Sequence, residues 1–120
     1  MNKIRIEFSN QFLKELRRIV RKYPQAANEV DALLEQLKQG ERPGDKIPNA
    51  GYDVQKVRLK NPSANRGKRG GLRAIYYFQL AEQITMIAIY SKTEQEDISI
   101  EVIRQIIDEY SSTSKPDKSE

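Results

Sequence analysis

Ile4, Ile6 and Phe8 alternate with Lys3, Arg5 and Glu7, a period of two that predicts a short strand with one buried face. The period then lengthens. Phe12, Leu13, Leu16, Ile19 and Val20 recur at helical spacing behind a capping Ser9 or Asn10, with Lys14, Arg17, Arg18 and Arg21 turned to water. A helix is expected there until Tyr23-Pro24 ends it. Val30, Leu33, Leu34 and Leu37 repeat the pattern, and Gly40 stands where a left-handed residue closes a helix. The two helices form a hairpin. ERPGDKIPNAG is a loop by its Pro and Gly content, with a brief extended piece at Lys46-Ile47.

Three strands follow, from about Val54 to Lys60, Leu72 to Leu80 and Gln83 to Ser91. NPSANRGKRGG joins the first pair and Ala81-Glu82 the second, which makes an antiparallel meander. ITMIAIY is apolar on both faces and is expected inside the sheet rather than at its edge. Ser99 caps a final helix whose apolar stripe is Val102, Ile103, Ile106, Ile107 and Tyr110. That stripe needs a sheet face or a partner to cover it. SSTSKPDKSE has no aliphatic or aromatic side chain and is expected to be disordered. The reading is one α+β domain over residues 1–110, large enough for a single core, and a polar tail at 111–120. No internal repeat is present.

Composition narrows the chemistry. The chain has neither Cys nor His, which removes disulfides, thiolate metal sites, Ser-His and Cys-His nucleophilic pairs and histidine acid–base catalysis. Any catalysis must use Lys, Arg, Tyr or carboxylates. MNKIRIEFSN has no continuous apolar stretch, so neither a signal peptide nor a membrane span is expected, and cytoplasm is the expected location. Pro62 occupies the place of the glycine that a phosphate loop needs before Gly67-Lys68, and no dinucleotide fingerprint follows the first strand. No cofactor is expected.

The charge is concentrated. From Val54 to Arg73 the chain carries Lys56, Arg58, Lys60, Arg66, Lys68, Arg69 and Arg73 and no carboxylate. The remaining 14 Lys and Arg face 17 Asp and Glu, so the chain outside this window is net negative. A local basic field of this kind points to a polyanion, nucleic acid above all. Side chains two apart on a strand share a face, so Lys56, Arg58 and Lys60 form a ladder while Val57 and Leu59 point to the core. Arg73 and Tyr77 share a face of the next strand, and the glycine-rich turn with Arg66, Lys68 and Arg69 hangs at the connecting end. An exposed tyrosine among Tyr52, Tyr76, Tyr77 and Tyr90 offers a stacking surface for an unpaired base. Crowded cations also disfavour a protonated lysine, which makes Lys56 and Lys68 candidate bases for the 2′-hydroxyl of RNA if no acid lies near. The one dense acidic group, Glu94, Glu96, Asp97 and Glu101, reads as charge at the positive end of the last helix rather than a metal site.

GDKIP at 44–48, QKVRLK at 55–60, RGKRGGLRAIYY at 66–77 and IYSKTEQEDIS at 89–99, in this order of elements, resemble the RelE/ParE superfamily of bacterial toxins, and most closely its HigB-type branch. The resemblance implies a RelE/ParE toxin fold, a cognate antitoxin partner and, for the RelE and HigB groups, ribosome-dependent cleavage of messenger RNA without a metal. By position it puts the paired cations of the family on Lys56 and Arg58, its strand arginine on Arg73 and a further basic residue on Lys92. Lys68 and Arg69 belong to the longer loop of the HigB branch. Where RelE proper has another arginine and a tyrosine, this chain has Thr93 and Ser99, so the part of that tyrosine falls to Tyr90, to a lysine or to no residue.

Three functional readings follow. In the first, an RNA-cleaving toxin acts on the translating ribosome, with Lys56, Arg58, Lys68 and Arg73 as catalytic residues and Lys60, Arg66, Arg69, Tyr77, Tyr90 and Lys92 binding RNA. In the second, a ParE-like protein inhibits DNA gyrase and cleaves nothing. In the third, an inactive relative binds RNA only. Fold alone does not separate them.

Overall fold

A computed structural model describes residues 4–60, 71–80, 82–95 and 97–114. The elements run β1 (Arg5–Phe8), α1 (Asn10–Lys22), α2 (Ala26–Lys38), β2 (Asp45–Lys46), β3 (Asp53–Leu59), β4 (Leu72–Leu80), β5 (Gln83–Ser91) and α3 (Ile100–Ser114). The local signals account for the boundaries. Ser9 Oγ accepts the Phe12 N–H at 3.0 Å and donates to the Ile87 carbonyl at 2.8 Å, so one hydroxyl caps α1 and ties it to β5. At the end of α2, Gly40 takes φ +93° while its N–H bonds Leu37 O and the Glu41 N–H bonds Gln36 O, satisfying two terminal carbonyls. Ser99 caps α3 through the Val102 N–H at 3.2 Å.

The sheet has the order β1-β5-β4-β3-β2. The three long strands form the expected antiparallel meander, and β1 adds parallel to β5 with Phe8 opposite Met86. β5 is therefore flanked on both edges, which suits its apolar sequence. The chain thus has the α+β architecture read from its pattern.

Helices cover both faces of the sheet. On one side α1 and α2 bury Phe12, Ile19, Val30, Leu33 and Leu37 against Val57, Leu59, Leu72, Ala74, Tyr76, Ile84, Met86 and Ile89. On the other, α3 packs Ile103 and Ile107 over Val54, Ile75, Tyr77, Ile87 and Ala88. Each fully buried side chain of this size removes enough apolar surface from water to stabilise the fold by roughly 1.5–3 kcal/mol before entropy is counted. Two members of the predicted stripes stay largely outside the core, Leu13 and Val102, because each stripe is wider than the strip of helix in contact with the sheet.

The tail needs a correction. α3 continues to Ser114, so 111–114 extend the helix into the segment expected to be disordered, while 115–120 lie outside the described residues. Adding residues to an existing helix needs no new nucleus.

Candidate nucleic-acid interface

α3 covers only part of its sheet face. Arg58 lies opposite Arg73 on β4, which lies opposite Tyr90 on β5, so these three form one row across the sheet. Lys56, Ile75 and Ala88 make the next row, and Val54 opposite Tyr77 lies further toward α3. The period-two reading therefore places Lys56, Arg58, Arg73 and Tyr77 on a common face, with Val57 and Leu59 on the opposite one. Lys60 follows as an exposed residue at the end of β3. Arg66, Lys68 and Arg69 lie outside the described residues.

The members of this face differ in access. Arg58 is exposed, whereas Arg73 is only 6% exposed and sends a guanidinium N–H back to the Leu72 carbonyl at 3.3 Å. Tyr77 and Tyr90 are 3% and 4% exposed, so neither ring presents a stacking surface in this structure. Tyr77 instead meets the Tyr52 ring edge-on at 5.7 Å, and Tyr52 donates its hydroxyl to Asp108 on α3 at 2.8 Å. Tyr76 is buried on the other face with its hydroxyl bonded to the Pro43 carbonyl. Lys92, just past β5, is half-buried, and its N–H bonds the Gly71 carbonyl at 2.9 Å, joining the starts of β4 and of the following segment.

One contact runs against the expectation of an acid-free groove. Asp97 follows β5, and its Oδ1 accepts from Lys56 Nζ at 3.2 Å, from the Tyr90 hydroxyl at 3.1 Å and from the Ile98 N–H at 2.8 Å. The premise for Lys56 as a base, the lack of a nearby carboxylate, does not hold. Burial alone pushes the Asp97 carboxyl up, but the Ile98 N–H and the Lys56 ammonium outweigh it and hold the group below its ordinary value. Tyr90 moves the other way: burial first, then the Asp97 charge, push its phenol well above the ordinary tyrosine range.

The segment carrying Asp97 is held from behind. Glu94 takes Arg18 on one oxygen and Lys22 on the other, each at 2.8 Å, and Gln95 donates to the Asp97 carbonyl at 2.9 Å. Those two bonds lower the Glu94 carboxyl and raise both cations. Of the four acids read as charge at the positive end of the last helix, Glu101 sits in its first turn and Asp97 lies just before it, paired with Lys56, while Glu94 pairs with Arg18 and Lys22 and Glu96 lies outside the described residues. Among the described residues no group of three or more acids is placed to hold a metal. A cleft of about 290 Å³ separates this segment from α1 and reaches Tyr90 and Asp97. A larger one, about 510 Å³, lies at the far end between the start of α1 and the end of α3 and is lined by no cation.

Chemically, this end of the face brings two guanidinium groups into one row, Arg58 exposed and Arg73 nearly buried, with an ammonium beside them and a phenol whose proton is firmly held. Such a set can bind phosphate oxygens and stabilise negative charge that develops on them.

No family model matches the chain, and no curated protein matches it. Among solved structures it is similar to the free-state structure of an E. coli toxin RelE mutant that carries two arginine-to-alanine substitutions. That likeness has a TM-score of 0.54 at 16% sequence identity and covers 88% of this chain and 96% of that one. The chain has the RelE toxin fold. Among the described residues no helix is long and apolar enough to cross a membrane.

Proposed function

We propose that this chain is a RelE-type toxin of a toxin–antitoxin pair, an endoribonuclease that cuts messenger RNA on the translating ribosome and is silenced by a cognate antitoxin. The observation that carries the reading is the row Arg58–Arg73–Tyr90 with Lys56 beside it, on the sheet face it shares with α3, in a chain with the RelE toxin fold. Arg58 and Arg73 bind the scissile phosphate and stabilise the charge that grows on it as the 2′-oxygen attacks. Lys56 joins them once it leaves Asp97. Lys68, Arg66 and Arg69 of the connecting segment, with Lys60 and Lys92, hold the flanking strand through its phosphates. No step calls for a cofactor. The antitoxin, in this reading, covers the same face with a segment complementary to its positive charge.

The test is mapping of 5′ ends on a reporter messenger RNA in cell-free translation, with the same RNA free of ribosomes beside it and Arg73→Ala as control. In-frame cuts that need ribosomes and drop at least about a hundredfold in the variant are expected, the loss typical of one charge-stabilising donor. Intact RNA throughout would remove the nuclease reading.

One observation favours a second reading, an inactive RNA-binding relative or a ParE-like gyrase inhibitor. Lys56 and Tyr90, the two described residues put forward as proton acceptors, both act as donors to Asp97. Intact RNA together with inhibited supercoiling by gyrase would select the gyrase inhibitor.

A further inference from the structure

Three donors of different origin converge on one carboxylate oxygen at the edge of the basic face. Lys56 comes from β3, the Tyr90 hydroxyl rises from a nearly buried ring on β5, and the Ile98 N–H belongs to the backbone just before α3. Because β4 lies between β3 and β5, the contact joins Lys56 to the segment that follows a strand two places away in the sheet. Asp97 itself is 61% exposed and Lys56 34% exposed, so the ion pair lies where solvent and ligand both reach it. A pair this exposed is held only weakly.

We propose that Lys56, Tyr90 and Ile98 form an oxyanion site that Asp97 fills when no ligand is bound, and that a phosphate oxygen of single-stranded RNA takes the place of the Asp97 carboxylate. The inference rests on the RNA-binding reading given above. Two features support exchange rather than a permanent structural bond. The donors are an ammonium, a phenol and a backbone N–H, the groups that commonly bind phosphate oxygens. Their partner is one exposed side chain whose segment is anchored independently, through Glu94 to Arg18 and Lys22, so that Asp97 can turn away while the backbone stays in place. The site also adjoins the Arg58–Arg73 row, so a strand bound there passes within reach of it.

The exchange has a signature in salt dependence. In the wild type, Lys56 reaches the phosphate by leaving a carboxylate, so it releases few counterions. In Asp97→Asn it is an ordinary cation, and its contact should add about 0.7 to the magnitude of the log–log salt slope for a single strand. The amide keeps the shape of the side chain and still accepts from Tyr90 and Ile98.

The probe is a fluorescently labelled 12-nucleotide single-stranded RNA, titrated by anisotropy over a salt series into wild type, Asp97→Asn, Lys56→Ala and the double variant. Asp97→Asn should bind about fivefold tighter with a steeper slope. Lys56→Ala should cost more in the Asp97→Asn background than in the wild type. In the wild type the Ile98 amide resonance should shift in step with RNA binding, a readout that needs no variant to fold. Lys56-dependent binding that Asp97→Asn leaves unchanged or weakens, with an unmoved Ile98 amide, would overturn the site and leave the RNA-binding reading intact. No binding by any form at low salt would overturn both. Tightening for an acidic peptide of equal charge but not for RNA would reassign the site to a protein partner and overturn the RNA assignment.

Discussion

Tyr90 is the residue on which the chemistry of the face turns. Its ring is almost fully buried, its hydroxyl donates to Asp97, and both circumstances penalise the phenolate. A group so placed keeps its proton at neutral pH and acts as a hydrogen-bond donor rather than a base. Asp97→Asn removes the second penalty and leaves the first. The Tyr90 ionisation should then move down yet stay above the ordinary value near about 10. Following the Tyr90 ring carbon by NMR through an alkaline titration measures this, and an unmoved or rising midpoint would contradict the contact. The parity of the ladder was legible in the sequence because a strand has a period of two whatever surrounds it. Asp97 was not. It stands 41 residues from Lys56 and meets it only because the segment after β5 folds back over the sheet, which no local periodicity encodes.

At the scale of elements, strands and helices were legible almost to the residue where turn chemistry is strong, as at Ser9, Gly40 and Ser99. The parallel addition of β1 to β5 joins segments nearly eighty residues apart and left no mark in either. The same holds for the tie between α1 and the segment after β5. Arg18, read as solvated charge, and Lys22 are four apart on α1, yet Glu94 bridges both. This tie gives a pH-dependent prediction. The Glu94 carboxyl is held down in the folded chain, so its contribution to stability is present in full above the unfolded value of about 4.3. It is lost as pH falls through the lower folded value. Glu94→Gln should therefore lower the urea midpoint near pH 7, by a small amount because the pair is exposed, and the gap from wild type should close below about pH 4. A gap that stayed constant across that range would mean that the ion pairs contribute nothing.

Among the described residues two groups of cations stand on opposite faces of the sheet. The ladder of Lys56, Arg58 and Arg73 shares the sheet face of α3. The helix α1, on the other face, carries Lys14, Arg17, Arg18, Arg21 and Lys22 against the single acid Glu15. The charge of the window from Val54 to Arg73 thus understates how far the cations spread. Glu94 engages Arg18 and Lys22, while Lys14, Arg17 and Arg21 remain exposed. Both sides attract a polyanion from a distance, but only the first pairs arginines in one cross-strand row, where both can meet one phosphate. Salt dependence tells them apart. Removing one cation that touches a phosphate of a single strand flattens the log–log slope by about 0.7. Arg58→Ala should therefore flatten the slope for a short RNA by about that much and weaken binding at every salt concentration. Arg17→Ala and Arg21→Ala should change the slope little, because they alter the field without touching the bound strand. If the α1 variants flatten it and Arg58→Ala does not, the strand lies on the helical side and the row on β3 and β4 is not the interface.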